Sequence, residues 1–98
     1  MSDRYFVYTL ASWRYGTLYL GMTNDLARRL HQHRSGTVSA FTREYAVHRL
    51  VHYETYEDLT SARERERSLK GSGRAWKINL IEEHNLDWAD LTPSLVQL

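Results

Sequence analysis

The chain has 98 residues, a formal net charge of +1 and 42% hydrophobic residues. This length fits one domain, because most domains contain roughly 100–150 residues. The sequence contains no cysteine, which excludes disulfides, thiolate metal sites and cysteine nucleophiles. No apolar run approaches the roughly 20 residues that span a bilayer, and the N-terminus lacks the layout of a secretory signal. We therefore expect a small cytoplasmic protein that does not enter a membrane.

The small net charge conceals an uneven distribution of charged residues. Residues 82–98 contain four acidic and no basic side chains, so residues 1–81 carry 13 basic against 8 acidic side chains and a net charge of +5. A cationic body with an acidic C-terminal part favours a polyanionic partner such as a nucleic acid.

The predicted elements follow the order β-β-α-β-α-α. Aromatic and β-branched residues at 5–10 and 17–21 predict two strands joined by a turn. A helix is predicted from an N-cap within 23–25 to about residue 34, then a loop at 35–46 and a third strand at 48–55. Further helices are predicted from 57 or 58 to about 70, and over 74–84. This pattern predicts an α+β fold, with a small three-stranded antiparallel sheet flanked by helices in a domain at 1–91 and a tail at 92–98.

The first two predicted strands bring two tyrosines together. If the hairpin turn centres between Trp13 and Arg14, Tyr8 lies opposite Tyr19 on the same face of the sheet. Tyrosines in strands are most often packing residues, so this pair alone does not indicate a site.

The first predicted helix carries polar residues on its apolar side. At about 100° per residue, Arg29 and His33 fall on the stripe formed by Leu26 and Leu30. Arg28 falls on the opposite, solvent-facing side. An arginine on an apolar stripe needs an anionic partner.

The second predicted helix shows the same pattern with the opposite charge. Glu66 interrupts the apolar face that Leu59, Ala62 and Leu69 form, whereas Glu64 faces solvent. A carboxylate in this position needs a cation, which either a side chain or a metal ion supplies.

These residues leave two interpretations open. In one, Arg29 and Glu66 form a structural ion pair and His33 is a hydrogen-bonded core histidine. In the other, an acid, a base, an imidazole and the phenols of Tyr8 and Tyr19 converge on one polar site from three elements.

Four motifs, taken in order, match the pattern of a known family. They are Val7-Tyr8-Thr9, Tyr19-Leu20-Gly21, Asp25-Leu26 followed by Arg29 and His33, and residues 62–70 centred on Glu66. Their order and spacing resemble the GIY-YIG nuclease superfamily, and more narrowly its small stand-alone bacterial members. Residues 76–82 and 88–91 resemble the closing segment of that group, while the first tripeptide keeps only its tyrosine.

The resemblance implies the GIY-YIG nuclease fold and a metal-dependent DNA endonuclease that hydrolyses phosphodiester bonds. Glu66 would anchor one Mg²⁺ or Mn²⁺ ion, and Arg29 would stabilise charge on the phosphorus. Tyr8 would orient or deprotonate the attacking water. Tyr19 would hydrogen-bond the phosphate or Tyr8, and His33 would relay a proton.

The resemblance also implies contacts to the DNA backbone. Such contacts are expected from Arg43, Lys70, Arg74 and Lys77, and Asn79 is a further candidate for the site. We expect single-stranded or branched DNA as substrate, a role in DNA repair, recombination or processing, and a monomer or weak dimer. Two alternatives remain: an inactive nucleic-acid-binding module, and an interaction domain whose polar cluster is only an ion pair.

Overall fold

The computed structural model describes residues 4–36 and 40–97, with side chains up to Leu95. The strands and helices are β1 (Tyr5–Ala11), β2 (Leu18–Thr23), α1 (Leu26–Ser35), α2 (Ala40–Glu44), β3 (Arg49–Tyr56), α3 (Leu59–Lys70), α4 (Arg74–His84) and a 3₁₀ helix (Thr92–Gln97). The strands form one antiparallel sheet in the order β2-β1-β3. The predicted α+β fold and order of elements are confirmed, while the parts of the predictions that concern residues 1–3, 37–39 and 98 lie outside the described residues.

The central strand β1 separates two layers of helices. Phe6, Tyr8 and Leu10 pack with Leu26 and Leu30 of α1. On the other face, Val7 packs with Ala62 and Leu69 of α3. Because α1 and α3 cover opposite faces of the sheet, their polar side chains can meet only around an edge of the sheet. That edge is β2, against which α3 also packs through Leu20 and Met22.

The hairpin register differs from the predicted one. Tyr8 is paired with Gly21, and Leu10 is paired with Tyr19. The turn is centred one residue later than predicted, because the N–H of Ser12 donates to the carbonyl of Thr17 at 3.0 Å. A shift of one residue in the turn centre moves the pairing by two residues, so the tyrosines stay on one face. Their rings are diagonal neighbours with centroids 6.4 Å apart.

Gly21 leaves the space through which Tyr8 reaches the edge of the sheet. A Cβ atom at Gly21 would lie 2.5 Å from the Tyr8 hydroxyl oxygen and 2.6 Å from Cζ. The tyrosine ring therefore lies directly over Gly21. Its hydroxyl therefore lies over β2, the edge strand against which α3 packs.

Substituting alanine for Gly21 is expected to destabilise the protein by about 1–3 kcal/mol, because the buried ring of Tyr8 has no free space into which to move. The matched control is Gly73→Ala, where an added Cβ meets nothing within 4 Å. Chemical denaturation of both variants measures the difference. Equal stability of the two variants would contradict the close packing of Tyr8 on Gly21.

The segment between α1 and β3 is not wholly the loop that the sequence predicts, since it contains the short helix α2. Thr42 is buried in this helix. Its hydroxyl forms a hydrogen bond with a histidine of α1. The sequence of residues 35–46 alone does not predict this long-range contact.

The C-terminal segment packs on the domain. Leu95 is buried in the core cluster of Phe6 and Leu10. Arg34 of α1 donates from Nη2 to Asp90 Oδ2 at 3.1 Å and to Thr92 Oγ1 at 2.6 Å. Among the described residues, no helix is long and apolar enough to cross a bilayer.

Candidate active site

A buried chain of hydrogen bonds connects β1, α1 and α2. The Tyr8 hydroxyl lies 3.0 Å from His33 Nε2, and His33 Nδ1 lies 3.0 Å from the hydroxyl of Thr42. Tyr8, His33 and Thr42 are all fully buried. The structure thus brings Tyr8 and His33 together and adds Thr42, which sequence reasoning missed.

The surroundings of His33 keep its imidazole neutral. Burial lowers the pKa of His33 to about 4, and the charges of Arg29 and His48 act in the same direction. A neutral imidazole has one nitrogen that donates and one that accepts a hydrogen bond. The partners of these two nitrogens therefore determine which one carries the proton.

The surroundings of Tyr8 keep its phenol protonated. Burial and the neighbouring Tyr19 raise the pKa of the Tyr8 hydroxyl above its ordinary value, while Arg29 opposes this shift. The hydrogen bond that the structure shows for this hydroxyl is the one with His33 Nε2, while Arg29 acts on it through its positive charge. A protonated phenol can donate to His33 Nε2, and in that arrangement Nδ1–H donates to the hydroxyl of Thr42. The phenol of Tyr8 and the imidazole of His33 are thus both uncharged in the folded protein.

Acidification from pH 7 to pH 4.5 is expected to reduce the free energy of unfolding by about 2 kcal/mol through His33 alone. The unfolded imidazole takes up a proton below its pKa of about 6.5, whereas folded His33 remains neutral until about pH 4. The unfolded state therefore binds more protons in this window, and stability falls as the pH falls.

The measurement is chemical denaturation at several pH values, with His31→Gln as the control because His31 is an exposed histidine on the same helix. His33→Gln should lose about 2 kcal/mol of the pH dependence between pH 7 and pH 4.5. An unchanged pH dependence in His33→Gln would show that His33 is not held neutral.

Arg29 and Glu66 approach Tyr8 from different helices. The positive charge of Arg29, half-buried on α1, lowers the pKa of the Tyr8 hydroxyl, and the negative charge of Glu66 on α3 raises it. Within the described residues, the ion pair of Glu66 is with Lys70, at 3.4 Å, and no Arg29–Glu66 pair forms within 4.0 Å. The interpretation of these two residues as a structural ion pair therefore does not hold.

A network of hydrogen bonds between β3 and α3 sets the rotation of α3 about its axis. Glu54 of β3 accepts hydrogen bonds from Arg65 at 2.7 and 3.0 Å, from Tyr56 at 2.6 Å and from His52 at 2.8 Å. Burial alone would raise the pKa of Glu54, but these hydrogen bonds together outweigh it and hold the pKa far below its usual range. Arg65 is held against β3, and Glu66, about 100° further around the helix, lies on the other side of the buried stripe of Ala62 and Leu69.

Tyr19 lies beside the buried hydrogen-bond chain. Its ring centroid is 5.1 Å from that of His33 in an edge-on arrangement. A polar hollow of about 230 Å³ opens next to Arg29 at the start of α1. Arg29 therefore faces both the Tyr8 hydroxyl and a solvent-accessible surface. The hollow is lined by Thr23, Asn24, Asp25, Arg28, Arg29 and Gln32.

Two of the residues expected to contact DNA also donate hydrogen bonds to the protein's own backbone. Arg74 donates from Nη2 to the carbonyl oxygens of Tyr15 at 2.6 Å and Gly16 at 2.8 Å. Lys77 donates to the carbonyl of Ser72 at 3.2 Å. The structure thus gives Arg74 and Lys77 contacts within the fold, because Arg74 binds the β1–β2 turn to the start of α4.

The other expected contacts lie at separate places. Lys70 is exposed and adjoins Glu66. Arg43 is exposed on α2, with Nη1 3.5 Å from the carbonyl of Gly36. Asn79 lies on α4 in an open groove beside Arg65, and the described hydrogen bonds do not join it to the Tyr8 cluster.

A basic stripe on α3 was missed by sequence reasoning. Arg63 and Arg67 are exposed, and helical geometry places them with Lys70 on the same flank as Glu66. The sequence already indicates this stripe, because residues 63, 67 and 70 have the spacing i, i+4 and i+7 that places three positive charges on the flank of Glu66.

Comparison with known proteins identifies the class. The family model of the GIY-YIG catalytic domain matches residues 4–79. The chain belongs to the GIY-YIG family, whose members form an endonuclease superfamily.

Within this family, the chain is similar to UPF0213 proteins, which are small stand-alone members. It is 34% identical over 83 residues to a UPF0213 protein of Haloquadratum walsbyi, covering 85% of this chain and 92% of the relative. The identity to a UPF0213 protein of Natronomonas pharaonis is also 34% over 83 residues, covering 85% of this chain and 96% of that one.

A solved structure supports the same grouping. The solution NMR structure of a UPF0213 protein from Bacillus halodurans superposes with a TM-score of 0.54 at 29% identity, covering 84% of this chain and 86% of the other. The family resemblance and the fold expected from the sequence are confirmed.

Proposed function

We propose that the protein is a metal-dependent endonuclease that hydrolyses phosphodiester bonds in DNA. The observation that carries this proposal is the surroundings of the Tyr8 hydroxyl, on which Arg29, His33 and Glu66 all act. A guanidinium, an imidazole and a carboxylate from two helices thus lie around one phenol. This set of groups suits attack of water on a phosphate.

The residues fit one divalent metal ion. Among the described residues, no group of three or more His, Asp or Glu side chains surrounds a metal position. Glu66 would be the main protein ligand, as the family resemblance implies, and a single carboxylate suits Mg²⁺ or Mn²⁺ because a hard cation keeps several water ligands. When bound, such an ion supplies positive charge that neutralises the phosphate and stabilises the leaving oxygen.

Glu66 is accessible for this role. Its side chain is 23% exposed, and its partner Lys70 is 56% exposed. An exposed pair between residues i and i+4 contributes little to stability. The ammonium of Lys70 can therefore leave the carboxylate and bind a neighbouring phosphate of the substrate.

The remaining residues position the phosphate and move the proton. Arg29 donates hydrogen bonds to the phosphate oxygens, where negative charge develops during attack. The hydroxyl of Tyr8 orients the attacking water, and His33 Nε2, 3.0 Å from that hydroxyl, is placed to relay a proton. Tyr19 hydrogen-bonds the phosphate at the side of this cluster.

The substrate proposed is single-stranded or branched DNA, bound through its phosphates. Arg28 on α1 and the α3 stripe of Arg63, Arg67 and Lys70 supply positive charge on the two sides of the site. We place the activity in DNA repair, recombination or processing in the cytoplasm, with the protein acting as a monomer or weak dimer.

Incubation with labelled single-stranded, duplex, flapped and branched DNA, and with RNA, tests this proposal. Cleavage of at least one DNA substrate should require Mg²⁺ or Mn²⁺ and stop on chelation. Salt-sensitive binding without cleavage under any divalent metal would instead support the inactive binding module, which the altered first tripeptide favours.

A further inference from the structure

Aromatic side chains continue from the site to the protein surface. The ring centroid of Tyr19, which lies 5.1 Å from that of His33, is 6.2 Å from that of Phe41. The Phe41 ring in turn lies 4.9 Å from the ring of Tyr45. Adjacent rings are therefore in contact along a path that starts at the buried hydrogen-bond chain.

The outer two rings are not core residues. Phe41 is 43% exposed and Tyr45 is 51% exposed. Both lie in or just after α2, whose anchoring contact is made by the buried Thr42. The spacing of four residues places both rings on one side of the helical turn. Packing of α2 thus explains Thr42 but leaves two large rings facing solvent.

We propose that Phe41 and Tyr45 bind an unpaired nucleobase of the strand whose phosphate lies at Tyr8, Arg29 and Glu66. This inference rests on the proposed function and adds the residues that select the nucleotide beside the cut. Aromatic side chains bind bases by stacking, largely without regard to sequence, because every base has a π-face. A base inside a duplex has both faces covered by its neighbours, so Phe41 and Tyr45 favour a strand that is unpaired next to the scissile phosphate.

The test measures binding without metal, so that cleavage does not interfere. Wild-type protein in EDTA is titrated into two labelled 12-mers, oligo-dT and an abasic strand of the same length. Wild type should bind oligo-dT about tenfold more tightly, the size of one base–aromatic stack. The Phe41→Leu/Tyr45→Leu double variant should bind both strands within about twofold, and circular dichroism should show that it is folded.

The matched control is Trp76→Leu. Trp76 is 48% exposed but lies on α4 beside Arg65, so its loss should leave the tenfold preference intact. A second measurement needs no variant: 2-aminopurine in an otherwise oligo-dT strand should lose fluorescence on binding wild type, because stacking quenches it. Equal binding of oligo-dT and the abasic strand by wild type, or an unchanged preference in the double variant, overturns the inference.

Two further outcomes separate this inference from the proposed function. If wild type cleaves DNA but the double variant keeps its preference for bases, only the nucleobase site is wrong. If wild type binds no nucleic acid and sedimentation shows self-association that the double variant abolishes, the two rings form an interface between copies, and both proposals fail.

Discussion

Replacing Glu66 with glutamine should reduce metal-dependent cleavage by about 10³-fold or more, comparable to the largest losses on removal of a single charge-stabilising group. The amide keeps the shape of the side chain but removes the negative charge that holds the cation. Among the described residues, no cluster of other metal ligands can replace it. Cleavage rates on the best substrate of the nuclease assay, at saturating Mg²⁺ and Mn²⁺, measure the effect.

The fold should survive this change. Glu66 is partly exposed and its pair with Lys70 is a surface pair, so the free energy of unfolding should change by no more than about 1 kcal/mol. Glu64→Gln is the matched control, because Glu64 is exposed on the solvent-facing side of the same helix. Cleavage by Glu66→Gln at the rate of Glu64→Gln would refute the role of Glu66.

Replacing Tyr8 with phenylalanine should lower the cleavage rate by about 10²-fold or more, as expected when an acid–base group is lost. The ring still fills the space above Gly21, but His33 Nε2 loses its hydrogen-bond partner. A buried nitrogen left without a hydrogen bond costs about 1–3 kcal/mol, so a fall in stability of that size should accompany the loss of activity. Denaturation and single-turnover cleavage measure the two effects.

Tyr53→Phe is the control for this variant. Tyr53 is paired with Tyr8 in the neighbouring strand and packs against the same core cluster. Removal of its hydroxyl should leave cleavage within about threefold of wild type, since surface and non-site substitutions usually have small effects. If Tyr8→Phe and Tyr53→Phe behave alike, the Tyr8 hydroxyl takes no part in the reaction.

Most of the fold follows from local sequence patterns. Asp25 and Asp58 cap α1 and α3 by accepting hydrogen bonds from backbone N–H groups three residues later, as their residue types predict. The hairpin register was predicted wrongly, because it depends on a turn in which Tyr15 adopts a left-handed conformation with φ of 59°. No local preference indicates such a conformation for a tyrosine.

The helical part of the site was also within reach of sequence reasoning. Helical periodicity separates Arg29 and His33 from Arg28, and Glu66 from Glu64, and the structure buries His33 while leaving Arg28 and Glu64 exposed. The hydrogen-bond partners that these side chains find in distant parts of the chain could not be predicted from the sequence. Thr42 lies in a segment whose sequence predicts a loop, and it meets His33 only through tertiary packing.

The contacts of the basic residues within the fold could not be predicted for the same reason. Arg74 is a plausible phosphate contact by charge, but its position against the carbonyls of Tyr15 and Gly16 depends on how α4 docks on the hairpin. Arg63 and Arg67 flank Glu66 by helical spacing alone and were visible in the sequence. Charge indicates a polyanionic partner, while the contacts that each cation makes within the fold depend on tertiary packing.

Paramagnetic line broadening by Mn²⁺ tests the central claim most directly, because 98 residues are well suited to NMR. If Glu66, Arg29 and Tyr8 face one metal and phosphate site, low Mn²⁺ concentrations should first broaden the amide signals around Glu66, Gly21 and Arg29, and Glu66→Gln should abolish this effect. Broadening centred elsewhere, or the same broadening in Glu66→Gln, would contradict the account.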